Sequence, residues 1–99
     1  MITEEIYSKV LAIVEAEIAL PDNWLHGSKT EDATDARHIL CDYLKKQGLS
    51  SVQIQSVTGL KKSTVNKLLA GIAERIGRRS ITKSWWLQIG YKLKAEFNV

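Results

Sequence analysis

Apolar residues recur along this chain at spacings of three and four, and nowhere does a strand-like alternation persist. Ile6, Val10, Ile13 and Val14 predict a first helix over roughly 3–19, with Thr3 as its cap and Glu4 and Glu5 in the first turn, where negative charge meets the partial positive helix end. Pro21 ends that helix or starts the next piece. The segment Pro21 to Gly27 reads as a loop or a single helical turn, with Trp24 and Leu25 plugging it against the core. Ser28 and Glu31 match a capping box, and Ala36, Ile39, Leu40, Tyr43 and Leu44 then form the most regular stripe in the chain. They predict a helix over about 29–47, stopped by Gly48 in a left-handed cap.

The next stretch has a different character. Leu49, Ile54 and Val57 line the inner side of a short helix opened by Ser50 or Ser51, Gly59 supplies a tight turn, and Leu60 tucks back into the core. Val65, Leu68, Leu69, Ile72 and Ile76 then lay an apolar face, while Lys62, Ser63, Asn66 and Lys67 fall opposite, a face of donors without a carboxylate. Residues 49–76 read as a helix-turn-helix whose second helix, in the 59–76 segment, is exposed. Gly77-Arg78-Arg79-Ser80 is a basic connector. A closing helix of about 82–97, capped by Ser80 or Thr82, carries Trp86, Ile89, Leu93 and Phe97 on one side. Trp85 and Tyr91 lie beside that stripe, which makes Trp85 a candidate contact for a protein partner. The expected fold is all-α, one domain of five or six helices over residues 1–99.

Charge sharpens this picture more than composition does. With 99 residues, 44% of them hydrophobic, the chain can close a single core. A net charge of +3 permits a polyanionic partner without demanding one. The distribution is uneven: Glu4, Glu5, Glu15, Glu17, Asp22, Glu31, Asp32 and Asp35 concentrate early. Lys45, Lys46, Lys61, Lys62, Lys67, Arg75, Arg78, Arg79, Lys83, Lys92 and Lys94 dominate later. A basic face is therefore expected. Arg37, off the stripe of its helix, either pairs with a local acid such as Asp35 or points to a partner.

Catalytic and metal chemistry find little support. Cys41 is the single cysteine, so an internal disulfide is excluded, and no partner at catalytic spacing turns it into a nucleophile. His26 and His38 with one Cys do not make a metal set. No phosphate-cradling glycine loop, zinc motif or nucleophile elbow is present, and Glu31, Asp32 and Asp35 sit in the first turns of a helix, where acids are electrostatically favoured. No enzymatic activity, cofactor or metal is expected. The apolar run from Val10 to Leu20 is broken by Glu15 and Glu17 and is too short to span a bilayer, and no signal-peptide pattern is visible, so a cytoplasmic protein is expected.

The run Ala36-Arg37-His38-Ile39-Leu40-Cys41-Asp42-Tyr43-Leu44, followed by Leu49-Ser50, Ile54 and Gly59-Leu60-Lys61-Lys62-Ser63-Thr64-Val65, resembles the C-terminal DNA-binding domain of the bacterial replication initiator DnaA, a Trp-repressor-like helix-turn-helix. The resemblance covers most of the chain, with residues 36–69 carrying the specific signal. It implies double-stranded DNA as partner, without the initiator's nucleotide-hydrolysing module, which is not in this chain. It also implies a minor-groove contact for Arg37. The family's Gly-Arg-Asp-His signature, followed by two hydroxyl residues and Val, is matched at Gly59, Ser63, Thr64 and Val65, and is departed from at Leu60, Lys61 and Lys62. The candidate DNA contacts are Arg37, Ser50, Lys61, Lys62, Ser63, Thr64, Asn66 and Lys67. The expected function is sequence-preferring DNA binding, as a regulator or replication accessory of a phage or mobile element. The alternative is a helical module that docks an acidic protein without binding DNA.

Overall fold

The structure, a computed structural model, describes residues 2–97. Five helices follow one another: α1 (Thr3–Glu17), α2 (Glu31–Lys46), α3 (Ser51–Thr58), α4 (Lys62–Arg78) and α5 (Ser80–Phe97), with no strand among the described residues. The all-α expectation holds at the lower helix count. No described helix is long and apolar enough to cross a membrane.

The predicted stripes are the ones that the fold buries. Ala36, Ile39, Leu40, Tyr43 and Leu44 of α2 are all buried, which makes α2 the central element, and Val10 and Val14 of α1, Ile54 of α3, Val65, Leu68 and Ile72 of α4, and Ile89 and Leu93 of α5 close around it. Ile6, Ile13, Val57, Leu69, Ile76, Trp86 and Phe97 are half-buried at the margin of this core. Trp24 is buried in the loop after α1 and donates its indole N–H to Glu15 at 2.9 Å, so the loop is pinned by both apolar area and a charged acceptor.

Several helix ends differ from the sequence reading. Thr3 is already helical, and the α1 N-cap is Ile2, without a side-chain hydrogen bond. Ser28 and Glu31 form no capping box: Thr30 is the α2 cap, its Oγ1 accepting from the Ala33 N–H, while Ser28 Oγ lies 3.2 Å from Thr30 Oγ1. The box that does form is at α3, where Ser50 Oγ accepts from the Gln53 N–H and Gln53 Oε1 accepts from the Ser50 N–H. The second helix of the 59–76 segment starts at Lys62 and runs on to Arg78, and the last helix starts at Ser80, with Thr82 fully buried inside it. After α2, Gly48 takes the expected left-handed conformation, and Leu49 N–H bonds back to Leu44 O.

Two polar clusters fix α2 against its neighbours. Asp35, fully buried, accepts from Arg75 Nε and from Arg79 Nε at 3.0 Å, while Glu31 accepts from Arg75 Nη2 and stands 3.4 Å from Arg79 Nη1. The acids expected to complement the α2 helix dipole therefore also capture two arginines expected on a basic face. At the other end of α2, Tyr43 donates to Trp86 O, and Asp42 accepts from both Trp86 Nε1 and Lys46 Nζ. Lys46 Nζ sits 4.6 Å from the Trp86 ring centre. Tyr43 can reach α5 because residue 90 is Gly: a Cβ there would lie 2.5 Å from the Tyr43 hydroxyl oxygen. Cys41 lies in the core with its pKa pushed up to about 12 by burial, so it stays a thiol.

His38 is half-buried between α2 and α4, its Nδ1 2.7 Å from Thr34 O. A carbonyl only accepts, so the proton sits on Nδ1 of the neutral ring. Burial, the largest cause, and the neighbouring Arg75 and Arg37 lower its pKa against the opposing pull of the Thr34 carbonyl and Asp35. A base with a lowered folded pKa binds fewer protons folded than unfolded, so its stabilising contribution is present above the unfolded pKa and is lost as pH falls through the folded one. Stability should therefore decline below about pH 6.5. The drop in urea midpoint between pH 7.5 and pH 5.5 should shrink in His38→Gln, and an unchanged drop would exclude this histidine as the cause. Asp35→Ala should lose about 3 kcal/mol in urea unfolding, because two part-buried arginines are left without their common acceptor. A loss within the range of a surface ion pair would show that water replaces the carboxylate.

Candidate nucleic-acid interface

The turn between α3 and α4 is three residues long and is held from within. Gly59 has φ +75°, a conformation that side chains other than glycine adopt at a cost, and its N–H closes α3 on Gln55 O. Thr58 Oγ1 donates to Ile54 O and accepts from the Leu60 N–H, and Leu60 is buried, as expected. These bonds set the chain direction into α4. Val65 and Leu68 face the core, which turns Ser63, Asn66 and Lys67 to solvent, with Lys61 and Lys62 also exposed and Thr64 half-buried.

The start of α4 is unlike those of α1, α2 and α3. Those helices meet their own partial positive ends with acids or with a side-chain cap, whereas Lys61, the α4 N-cap, forms no cap and the first turn holds no acid. Val65 N–H bonds to Lys61 O, so the amides of Lys62, Ser63 and Thr64 precede the first intrahelical bond and point out of the helix end. Two lysines, two hydroxyls and three amide donors converge there.

Beside this helix end runs a groove of about 480 Å³ between the loop 25–29 and the α3–α4 turn, lined by His26, Ser28, Lys29, Arg37, Lys61 and Thr64 among others, with no carboxylate in its wall. The sequence reading did not single out Lys29 or place His26 here. No local signal points to them, because the fold alone brings their loop against Gly59, where the His26 ring lies 3.4 Å from the position of an added Cβ.

Arg37 stands in this wall in a role that spacing did not suggest. Among the described residues it pairs with no acid. Its Nη1 donates to Trp24 O at 2.6 Å and to Ser28 O at 2.8 Å, and its Nη2 donates to Thr34 Oγ1 at 3.1 Å, so it ties the loop to α2. Burial and Arg75 lower its pKa. Ser50 is exposed at the start of α3, with its hydroxyl engaged by the Gln53 N–H. The structure thus gathers Arg37, Lys61 and Thr64 at one groove and carries Lys62, Ser63, Asn66 and Lys67 along the adjoining helix, while Ser50 opens the preceding one. Glu74 is exposed on the same side of α4 about two turns beyond Lys67, so the donor-only face ends before it. Arg75 and Arg79 are withdrawn into the Asp35 cluster. Trp85 is half-buried against the core.

Comparison with known protein families, characterised proteins and solved structures finds no match to this chain. Arg37→Ala should cost about 1–3 kcal/mol of stability, because two carbonyls lose a charged donor. Thermal unfolding checks this, and an unchanged midpoint would show that the loop holds without its brace.

Proposed function

We propose that this protein binds double-stranded DNA with sequence preference, setting the N-terminal half of α4 in the major groove. The observation that carries the reading is the uncapped, acid-free start of α4, where free amides and the side chains of Lys61, Lys62, Ser63 and Thr64 meet a carboxylate-free groove. A helix start arranged in this way is poorly matched to its own dipole and well matched to phosphate. The likeness of residues 36–69 to the DNA-binding domain of DnaA supports the same reading.

In this arrangement the amides and hydroxyls at 62–64 and the ammonium of Lys29 fix the register on phosphates, while Lys61, Lys62, Asn66 and Lys67 reach toward base edges. The reading needs no catalysis or cofactor. It is consistent with a nucleoid-associated regulator or replication accessory of a phage or mobile element. Departures from the initiator's pattern fall where bases are read. An Asp accepts from the cytosine amino group, whereas Lys only donates and suits guanine O6 and N7, so the preferred site should hold guanines under Lys61 or Lys62 and should differ from the initiator's own.

Affinity for duplex DNA should fall steeply with salt, with a log–log slope of about −0.9 per phosphate neutralised. No binding at low salt would overturn the proposal. Lys61→Ala and Lys62→Ala, measured on a selected duplex and on a scrambled one, separate two roles. A base-reading lysine loses about 1–3 kcal/mol on the selected site alone, whereas a phosphate contact weakens both duplexes alike and lowers the slope by about one unit.

A further inference from the structure

A second surface lies on the outward face of α5. This helix packs on α1, α2 and α4 and makes no packing contact with α3. Of the large hydrophobic side chains exposed in the described structure, Ile81, Leu87 and Tyr91 belong to α5, and Tyr91 is 64% exposed. Lys83, Leu87, Tyr91 and Lys94 follow at steps of four, four and three, so they form one line along the outward face, with Ser84 and Gln88 beside it. Lys83 and Lys94 are exposed and take part in no ion pair among the described residues. The one acid of α5, Glu96, is held by Lys9 on the side that meets α1.

We infer that this line docks an amphipathic helix of another protein that presents two apolar side chains between two acidic ones. The two lysines lie eleven positions apart on the helix, about 16 Å, so the partner's acids are spaced by about three turns. Charge decides against a second copy as occupant. An antiparallel pairing of two α5 lines centred between Leu87 and Tyr91 sets Lys83 of each copy near Lys94 of the other, and a parallel pairing sets each lysine against itself. A lipid surface is disfavoured because two apolar side chains flanked by Ser84 and Gln88 offer too narrow a face to insert.

The test is a titration of the whole isotope-labelled chain, followed by amide NMR, with a synthetic helical peptide carrying a Leu pair bracketed by Glu at that spacing. A copy with Lys in place of Glu is the control. The Glu peptide should shift the amides around Lys83, Leu87, Tyr91 and Lys94, and the Lys peptide should not. Tyr91→Ala with Leu87→Ser should weaken binding about tenfold, as expected for loss of the apolar centre of a contact. Lys83→Glu with Lys94→Glu should exchange the preference between the two peptides. All four positions are exposed, so the fold is not at risk, and duplex DNA affinity should be unchanged in Tyr91→Ala with Leu87→Ser. The inference is overturned if neither peptide shifts α5 at millimolar concentration, if the shifts map to α4, if anionic vesicles compete for the same line, or if the chain dimerises through it. A loss of DNA affinity in Tyr91→Ala with Leu87→Ser would assign the line to DNA instead.

Discussion

The carboxylate of Asp35 is the constraint on which the arrangement of helices depends. A fully buried acid must take its hydrogen bonds from the protein, and here both come from arginines on the far side of a helix pair. Arg75 and Arg79 lie in and just beyond the last turn of α4, while Glu31, Asp32 and Asp35 lie in the first turns of α2. Antiparallel packing sets the two helix ends side by side, so each group complements the dipole of its own helix and pairs with the other. One cluster therefore fixes the direction of α4 against α2 and removes two cations from the surface.

That removal changes what the net charge of +3 means. Lys9, Lys46 and Lys92 are also engaged by acids, so positive charge free to meet a partner is concentrated where acids are missing. The start of α4 is such a place, and there the sequence departs from the rule that the starts of α1, α2 and α3 obey. A helix that begins with lysines loses stability relative to one that begins with acids. In a fold otherwise locally consistent, such a departure is the place to look for a functional role.

The fold was legible in the sequence because burial follows the 3.6-residue period: nearly every residue of the predicted α2 stripe is core, and Gly48 and Gly59 end their helices as read. Helix starts were less legible. Ser28, Thr30, Ser50 and Ser51 all offer capping oxygens, and only the path of the chain selects Thr30 and Ser50. The capture of Arg75 and Arg79 was hidden for another reason. The pairs span about forty residues, and local spacing favoured assigning the acids to a helix dipole and the bases to a surface. The candidate contacts on α4 were legible because they lie on one face of one helix, whereas Lys29 enters the groove only through tertiary packing.

Arg37 shows how far an off-stripe position can mislead when read alone. Its place outside the apolar face of α2 suggested a side chain free to leave the surface, yet three of its hydrogen bonds are made within the protein. A guanidinium carries five N–H donors, so two are left over after these bonds are counted. Bracing the loop and facing the groove are therefore compatible roles for one residue. The brace also has a consequence for its neighbours: by fixing the carbonyls of Trp24 and Ser28 it holds the loop that carries Lys29 against the turn that carries Lys61. The cations of the groove are then positioned by the folding of a loop more than thirty residues upstream of α4, and a change at Arg37 would alter the groove through that loop as well as through its own charge.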